Sequence, residues 1–599
     1  MQRSFGYDRF WGFQREVIDH TLAGGDSLVL MPTGGGKSLC YQIPSMLRSG
    51  VGVVVSPLIA LMRDQVKALQ QNGIRAAYIN SSMESFEVAE VIGRVRQGEL
   101  DLLYVAPERL LMEHFLNLLD GLPLALFAID EAHCVSQWGH DFRPHYLGLS
   151  ILSERFPNVP RIAVTATADE PTRKEIVERL DLHSAQMFVA GFDRPNIRYH
   201  VVPKETPRQQ LLKFINSEHV GDSGIVYCLS RKRTEDVAEW LSDKGWKALP
   251  YHAGLDGATR QHHQDRFLQE DNIVIVATIA FGIGIDKPDV RFVAHLDLPK
   301  NLESYYQETG RAGRDGQPAN AFLTFGMEDI GMLNSFIDKS AAAERIKIVE
   351  RRKLSAIIEF CELASCRRQA LMHYFGDVQP EPTCDNCDNC LTPVDTWDGL
   401  ETAQKALSCV YRTGQRFGAV YLVDVLLGVV NDRIIQFGHK NISTYGIGKE
   451  HNRRVWRSVF RQLTGAGYLA VDYEGHGGLL LTEKSRDVLR GEVAINFRKD
   501  GSQVPRPSSK KSSKPKKKKS QLDRGNNQQL WDALRSMRHE LATKQGIPAY
   551  MIFSDKTMDD LVESKPQSID ALGDIYGIGG NKQKRYGKAI LKVLAEQVG

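Results

Sequence analysis

Short apolar runs alternate regularly with helical patterns between residues 26 and 325. In the first half, the runs read SLVLM, VGVVVS, DLLYVAPE, LALFAID and RIAVTATA. In the second half, from residue 192, they read GIVYCLS, LPYHAG, IVIVAT, VRFVAHLD and AFLTF. Uninterrupted apolar runs, each followed by a loop and an amphipathic stretch, are typical of buried parallel strands. The sequence therefore predicts two doubly wound α/β domains in tandem, with a cleft between them.

The rest of the chain changes pattern several times. A helical stretch ends in a cysteine cluster, and later helices precede a hairpin pattern with a turn at Gly477-Gly478. A segment rich in Lys, Ser, Pro and Gly, without apolar periodicity, indicates a linker, and the pattern after it is helical. The predicted domain bounds are 1–191, 192–339, 340–398, 399–498, 499–527 (linker) and 528–599.

Length and composition exclude several classes of protein. A chain of 599 residues is too long for one domain. Its 42% hydrophobic and 25% charged residues exclude collagen-like, wholly disordered and disulfide-scaffold proteins. No apolar run is long enough to span a membrane, and the first residues lack a signal-peptide core, so we expect a protein that is not secreted. The formal charge is only +3, but seven lysines between Lys510 and Lys519 give the linker a local basic excess.

Residues 31–38, MPTGGGKS, lie between a predicted strand and a predicted helix. Glycines there let backbone N–H groups surround phosphates at the start of the helix. Lys37 would then reach the β- and γ-phosphates, and the hydroxyl of Ser38 would hold Mg²⁺. Met31 departs from the glycine that usually opens this motif. The alternative is a flexible glycine turn without a ligand.

A second motif, DEAH at residues 130–133, directly follows the apolar run LALFAI. Asp130, at the end of a strand, can hold Mg²⁺ through water, and Glu131 can orient or deprotonate the attacking water. Alone, these residues could form a surface turn. Downstream of a phosphate-binding loop, they favour nucleotide hydrolysis.

Three cysteines, Cys384, Cys387 and Cys390, are crowded at intervals that allow their thiolates to surround one Zn²⁺ ion. The spacing leaves two candidates for a fourth ligand, Cys366 and Cys361. Four sulfur ligands would leave no open position, so the site would be structural. The alternative is a cluster without metal. The remaining cysteines are expected to be small apolar residues; they are Cys40, Cys134, Cys228 and Cys409, with Cys361 if Cys366 is the ligand.

Taken together, these motifs resemble those of superfamily 2 helicases, and specifically the RecQ family of DNA helicases. The resemblance extends over nearly the whole chain in the family's order. Its segments are FGYDRFWGFQ (5–14), MPTGGGKS (31–38), SPLIALMRDQ (56–65), APERL (106–110), DEAHCVSQWGHDFRPHY (130–146), TATA (165–168), YCLSR (227–231), YHAGL (251–255), ATIAFGIGIDKPDVR (277–291) and QETGRAGRDG (307–316).

The resemblance implies a fold and a zinc ligand set. It implies two RecA-like domains, followed by a helical zinc-binding domain, a winged-helix domain and an all-α HRDC domain. Cys366-Arg367-Arg368 matches the family's Cys-Arg-Arg sequence, which implies that Cys366 is the fourth zinc ligand.

For ATP, the resemblance implies contacts from Gln14 and from Thr33, Gly34, Gly35, Gly36, Lys37 and Ser38. The amide of Gln14 would read the adenine edge, because it pairs with one donor and one acceptor; the alternative is a surface residue. The family usually has Arg where this chain has Trp11, which could instead stack on the base.

In the second α/β domain, Arg314 is implied as the arginine finger that stabilises the γ-phosphate in the transition state, with Arg311 in support. A solvated turn is the alternative for this GRAGR sequence. Thr165 and Thr167 resemble the strand end that senses the aspartate of the DEAH motif.

For DNA, the loop after DEAH resembles the family's aromatic-rich loop, with Trp138, His140, Phe142 and Arg143 as contacts. Aromatic rings would stack on unpaired bases and Arg143 would meet a phosphate; the alternative is packing between the domains. In the winged helix, Arg453, Arg454 and Arg457 beside Trp456 either grip duplex phosphates or form a solvated face. In the last domain, residues 577–582 with Tyr550, Lys582 and Arg585 are expected to meet DNA.

The implied activity is ATP-dependent DNA unwinding with movement 3′ to 5′ along one strand, in recombination, repair and the SOS response. The implied cofactors are ATP, Mg²⁺ and one structural Zn²⁺. The implied partners are single-stranded, duplex and branched DNA and single-strand binding protein, for a monomer in the cytoplasm, at the nucleoid. The alternatives are an RNA helicase and a nucleic-acid-stimulated ATPase scaffold that does not unwind.

Overall fold

The computed structural model describes residues 1–80, 83–136, 142–278, 281, 287–377, 381, 383–472, 478–499 and 527–598. Within these residues, no helix combines the length and the apolar character that crossing a membrane would need.

The first α/β domain contains a parallel sheet of seven strands in the order β3-β4-β2-β5-β6-β1-β7. Its strands are β1 (Ser27–Leu30), β2 (Val51–Val55), β3 (Ala76–Ile79), β4 (Leu102–Val105), β5 (Leu124–Ile129), β6 (Arg161–Thr165) and β7 (Gln186–Val189). Its helices are α1 (Gln2–Phe5), α2 (Gln14–Leu22), α3 (Leu39–Leu47), α4 (Ile59–Gln71), α5 (Ser85–Arg96), α6 (Pro107–Leu110), α7 (Glu113–Asp120), α8 (Ile151–Arg155) and α9 (Glu170–Arg179). Two 3₁₀ helices cover Ala132–Val135 and Pro144–Ser150.

The second α/β domain contains a parallel sheet of six strands in the order β10-β11-β9-β12-β13-β8. Its strands are β8 (Ile197–Pro203), β9 (Ser223–Tyr227), β10 (Lys247–Tyr251), β11 (Ile273–Ala277), β12 (Val290–His295) and β13 (Ala319–Phe325). Its helices are α10 (Pro207–Glu218), α11 (Arg231–Asp243), α12 (Gly257–Gln269), α13 (Leu302–Thr309) and α14 (Met327–Lys339). The predicted tandem of doubly wound domains is confirmed.

The predicted strands differ from the observed ones mainly at sheet edges. The run DLLYVAPE ends as a strand at Val105, because Pro107 begins α6. The edge strands β3, β7 and β8 were not predicted. An edge strand is only partly covered, so its residues need not be continuously apolar, and β8 indeed alternates between buried and half-buried residues.

Three helices follow in the region of the cysteine cluster: α15 (Glu344–Glu362), α16 (Arg367–Tyr374) and α17 (Asp388–Leu391). The next region contains β14 (Thr396–Asp398), α18 (Leu400–Arg412), α19 (Ala419–Leu427), α20 (Asp432–Gln436), α21 (Arg453–Gly465), β15 (Leu469–Asp472), β16 (Gly478–Leu481), α22 (Ser485–Arg490) and β17 (Asn496–Arg498). A 3₁₀ helix covers His439–Asn441. The predicted hairpin is the antiparallel pair β15–β16; Gly477 of its predicted turn lies outside the described residues.

The C-terminal domain is all helical, as expected, with α23 (Gln528–Gln545), α24 (Ala549–Ile552), α25 (Asp555–Ser564), a 3₁₀ helix at Ala571–Asp574 and α26 (Gly580–Val598). It packs on both α/β domains. The backbone N–H of Gly577 donates to the carbonyl of Gly6 at 2.8 Å, and Arg535 forms an ion pair with Asp271. Gly6 has a φ of +73°, and a Cβ there would lie 2.5 Å from the backbone nitrogen of Ile578. The contact therefore requires glycine.

Candidate nucleotide, metal and DNA sites

The strand order of the first sheet brings three predicted motifs to one edge. Strand β6 lies between β5 and β1, and all three are parallel. The glycine loop follows β1, the DEAH motif follows β5, and Thr165 ends β6. Ligands of open α/β sheets bind outside the carboxyl ends of the strands. The chemistry predicted from separate parts of the sequence therefore converges here.

The glycine loop, residues 31–38, turns sharply between β1 and α3. Gly34 and Gly36 have φ values of +82° and +76°, a region that favours glycine. A Cβ at Gly36 would lie 2.4 Å from Nε2 of Gln14. Met31 does not have a positive φ and is buried, so the departure from glycine at this position causes no backbone strain. The loop leads into the start of α3, where N–H groups favour an anion.

Asp130 is the buried carboxylate at the end of β5, 8% exposed. Burial, reinforced by the charge of Glu131, raises its pKa from 3.8 to about 7, while the charge of Lys37 opposes the rise. A buried carboxylate with too little compensating charge is a donor that a divalent cation would stabilise. Asp130 therefore fits the expected Mg²⁺ site, and the part of Ser38, which lies at the start of α3, stays a prediction.

Glu131 occupies a left-handed backbone conformation, with a φ of +50°. Its N–H donates to Oδ1 of Asp130 at 3.0 Å, and its carboxylate lies 3.4 Å from Nδ1 of His133. Nδ1 of His133 is also 2.9 Å from Oγ1 of Thr165. Strained non-glycine residues cluster at active sites. The predicted link from Thr165 to the DEAH motif thus runs through His133 in this structure.

Gln14 is buried beneath the glycine loop. Its Nε2 donates to the carbonyls of Gly35 and Gly36 at 3.2 and 3.1 Å, and its Oε1 accepts from the N–H of Trp11 at 2.9 Å. The amide is therefore tied to the loop that would hold the phosphates. Adenine recognition by Gln14 stays a prediction. Trp11 is 57% exposed and lines the cavity described below.

The arginine loop of the second domain, residues 310–314, packs directly against the glycine loop. A Cβ at Gly34 would lie 3.6 Å from Cγ of Arg314, and a Cβ at Gly310 would lie 3.3 Å from the Thr33 side chain. Arg311 is 4% exposed and contacts the hydroxyl of Tyr227. Arg314 thus reaches the glycine loop from the other domain, whereas Arg311 contacts a residue of its own domain.

A cavity of about 1170 Å³ joins these elements. The first domain contributes Gln14 and Gly34–Gly36 to its lining, and the second contributes Arg314. Asp559 and Glu563 of α25 in the C-terminal domain close another side. The volume suffices for a nucleotide. The glycine turns and the facing arginine of this lining fit the phosphates of ATP.

Arg194 is a residue of this site that the sequence did not predict. It lies between β7 and β8, is 7% exposed and contacts both the glycine loop and the arginine loop. Its partners are distant in sequence, and the stretch FDRPNI carries no motif of its own, so no local signal was available.

The structure brings the four predicted cysteines together: the Sγ atoms of Cys366, Cys384, Cys387 and Cys390 all lie within 4.8 Å of one another. This set fits a tetrahedral Zn²⁺ site. Cys361 is buried among apolar side chains of the core and lies outside the cluster. Arg367, fully buried, donates to the carbonyl of Phe360 at 2.7 Å and to Asp388 at 2.6 Å, which fixes α15 against the cluster.

The predicted DNA contacts are only partly placed. Trp138 and His140 lie outside the described residues. Phe142 is 36% exposed, and Nη1 of Arg143 donates to the carbonyl of Pro57 at 2.7 Å. Arg143 therefore anchors the loop to the segment that precedes α4. Stacking on DNA bases stays a prediction.

In the predicted winged helix, Trp456 is fully buried and Nε1 donates to the carbonyl of Gly448 at 2.7 Å. It belongs to the domain core and is unavailable for DNA, because α21 packs this face inward. Arg453, Arg454 and Arg457 are exposed. Arg453 pairs with Asp424, and Arg454 pairs with Glu205 of the second domain at 3.1 Å. Both readings of this basic face, phosphate contact and solvated surface, stay open.

In the C-terminal domain, the predicted DNA-binding groups face the α/β domains. Tyr550 packs against the core of the second domain, and Lys582 is half-buried. Asn581 donates to the carbonyl of Gln71 at 2.7 Å, and Arg585 donates to Oε1 of Gln71 at 2.8 Å. DNA binding through this surface stays a prediction, and it requires that the contact with the α/β domains open.

Five protein-family models match the chain in succession. They are the DEAD/DEAH box helicase (residues 11–176), the helicase conserved C-terminal domain (206–316), the RecQ zinc-binding region (327–391), the RQC domain (393–506) and the HRDC domain (527–594).

Curated relatives match the chain over almost its full length. A protein of Pasteurella multocida named ATP-dependent DNA helicase RecQ is 45% identical over 597 residues, covering 99% of this chain and 92% of the relative. Proteins with the same name are 44% identical in Haemophilus influenzae, with coverage of 99% and 94%, and 36% identical in Bacillus subtilis, with coverage of 98% and 96%. On these similarities, the chain belongs to the RecQ family of helicases.

Proposed function

We propose that the protein is an ATP-dependent DNA helicase that moves 3′ to 5′ along one strand and separates duplex and branched DNA. The observation that carries the proposal is one cavity shared by the phosphate-binding loop of one α/β domain and the arginine loop of the other. A site divided between two domains couples the state of the nucleotide to their relative position.

Each group has a role in hydrolysis. Lys37 and the N–H groups of the glycine loop bind the phosphates. Gln14 is attached to the same loop by its hydrogen bonds to the carbonyls of Gly35 and Gly36. Glu131 orients or deprotonates the attacking water. Arg314 offsets the negative charge that develops on the γ-phosphate, and Arg311 supports it.

Asp130 and Ser38 are the residues that would hold Mg²⁺. When bound, the ion supplies positive charge beside the β- and γ-phosphates. The four cysteines would hold Zn²⁺ in a closed site that stabilises the fold around α15–α17 and takes no part in hydrolysis.

Unwinding would follow from alternating grip on the strand. ATP binding brings Arg314 to the phosphates, and product release lets the domains separate. The loop with Trp138, His140, Phe142 and Arg143 follows Glu131 closely in sequence, so a base stacked there can influence the catalytic carboxylate directly. We further propose that the protein acts in recombination and repair. It would act as a monomer and bind single-strand binding protein.

Two assays test the proposal against its alternatives. ATPase rates with single-stranded DNA and with RNA distinguish a DNA helicase from an RNA helicase; the zinc-binding and RQC matches favour DNA. Strand displacement on duplexes with 3′ or 5′ tails tests unwinding and polarity. ATP hydrolysis without displacement on any substrate would instead support the scaffold.

A further inference from the structure

Arg194 joins the two α/β domains at the nucleotide cleft. It lies in the connection between β7 and β8, and it is 7% exposed. Nη1 donates to the carbonyls of Thr33 at 2.6 Å and Gly310 at 2.9 Å. Nη2 donates to the carbonyls of Ala312 at 2.8 Å and Gly313 at 3.0 Å. The guanidinium thus uses both terminal nitrogens on main-chain oxygens.

These acceptors are divided between the domains. Thr33 belongs to the glycine loop of the first domain. The other three acceptors, Gly310, Ala312 and Gly313, belong to the arginine loop of the second domain and lie within the four residues before Arg314. Arg194 itself leads into β8, which pairs with β13 of the second sheet. It therefore moves with the second domain, and its bond to Thr33 crosses the cleft.

Placing the buried charge of Arg194 near the like charge of Arg314 costs electrostatic free energy. A Cβ at Gly34 would lie 3.7 Å from Nη1 of Arg194 and 3.6 Å from Cγ of Arg314, so both arginine side chains lie against the same glycine. Burial lowers the pKa of Arg194, and the charge of Arg314 lowers it further. Four carbonyl dipoles offset this cost. A planar fork can serve acceptors on two loops at once, whereas the point charge of lysine cannot match this geometry.

We propose that Arg194 is a positioning residue for ATP hydrolysis, which holds the arginine loop against the glycine loop so that Arg314 reaches the γ-phosphate. Arg194 does not need to touch the nucleotide to do this. Its bond to Thr33 is available only when the cleft is closed, so it favours the closed arrangement. This inference rests on the proposed ATPase function and on Arg314 as its finger.

The first test compares Arg194→Ala and Arg194→Lys with wild type. DNA-stimulated kcat should fall about 100-fold for alanine, because a misplacement of about 1 Å costs this much, and lysine should restore only part of it. Affinity for a non-hydrolysable ATP analogue should stay within about threefold of wild type, since Lys37 and the glycine loop remain. A lost affinity with an unchanged kcat would overturn the proposal. If Arg194→Ala does not fold, kcat and analogue affinity are measured for Arg194→Lys instead, because this variant keeps the buried charge.

A double-mutant cycle tests whether Arg194 acts through Arg314. Once Arg314→Ala has removed the finger, adding Arg194→Ala should cost less than about threefold more, because the two act as a unit. Losses of kcat that multiply would show independent roles and contradict the proposal.

Arg368 offers a matched control. It is 5% exposed, pairs with Asp193 at 3.2 Å and donates to the carbonyls of Pro195 at 3.2 Å and Ile197 at 2.8 Å, so it holds the same segment through the segment's own residues and not through the glycine loop or the arginine loop. Arg368→Ala should lower the melting temperature and leave kcat within about threefold of wild type. An equal loss of kcat in both variants would mean that Arg194 only stabilises the segment. If wild type itself has no DNA-stimulated ATPase, the proposed function is wrong. If wild type and Arg194→Ala are both fully active, only the positioning role of Arg194 is wrong.

Discussion

The ammonium group of Lys37 donates a hydrogen bond of 3.1 Å to the carbonyl of Met31, so the glycine loop folds around its own cation. This charge also opposes the rise in the pKa of Asp130. Lys37 is thus linked to both ends of the site, the phosphates and the expected Mg²⁺ position.

We expect Lys37→Ala to abolish ATPase and unwinding while single-strand DNA binding is largely kept, because the DNA contacts lie on other loops. Steady-state ATPase and DNA titration measure the two effects. Normal turnover of this variant at saturating ATP would refute the assignment.

Arg314→Ala should separate binding from turnover. The side chain lies against Gly34 but belongs to the other domain, so ATP still finds the intact glycine loop. We expect kcat to fall by roughly 10³-fold, with ATP affinity near that of wild type. Single-turnover hydrolysis measures the loss of rate, and binding of a non-hydrolysable ATP analogue measures the affinity. A variant that loses ATP binding and keeps its turnover would show that Arg314 is a binding residue.

Zinc content tests the cysteine cluster. Cys387→Ser should remove about one zinc ion per chain and destabilise the region of α15–α17, because binding energy at such a site is also folding energy. Cys361→Ser is the matched control: Cys361 is a buried thiol outside the cluster, so this variant should keep its zinc. Elemental analysis of both proteins decides, and wild type without zinc would contradict the assignment.

The contact of the C-terminal domain should depend on pH through Lys582. Lys582 follows Asn581, which makes the docking contact with Gln71, and burial lowers the pKa of Lys582 from 10.5 to about 8. The docked state therefore disfavours the protonated amine, and docking should strengthen as the pH rises through about 8 toward 10.5. Fluorescence energy transfer between the C-terminal and first domains, between about pH 7 and pH 9, measures this.

Lys582→Met should dock more fully near neutral pH and lose the pH dependence, whereas Lys584→Met, at an exposed lysine nearby, should behave as wild type. Docking that weakens with rising pH in wild type would show that the protonation of Lys582 does not oppose docking.

The aromatic loop should affect coupling more than catalysis. We expect Trp138→Ala to leave basal ATPase intact and to blunt its stimulation by single-stranded DNA, with a loss of about 1–3 kcal/mol per stacked base. We expect the same effect for Phe142→Ala, because Phe142 lies in the same loop and is 36% exposed. ATPase titrated with DNA measures it. Full stimulation in the Trp138 variant would mean that the loop is core packing.

The sequence predicted those parts of the site in which neighbouring residues carry the chemistry. The glycine loop, the DEAH motif and the cysteine spacing each combine a ligand type with a local geometry. Buried central strands such as β2 were recognised because both of their faces are covered, which makes the run continuously apolar.

Contacts between distant parts of the chain could not be predicted in this way. Arg194 and Thr33 are 161 residues apart, and Asn581 and Gln71 are 510 apart. Neither pair leaves a periodic or spaced pattern in the sequence. Lys582, next to the docking residue Asn581, is half-buried, whereas a basic residue beside glycines was expected to face DNA.

The decisive measurement is strand displacement on a duplex with a 3′ single-stranded tail. We expect displacement that requires ATP, is lost in Lys37→Ala and is absent on the matching 5′-tailed duplex. Displacement that proceeds equally without ATP, or equally in Lys37→Ala, would contradict this expectation.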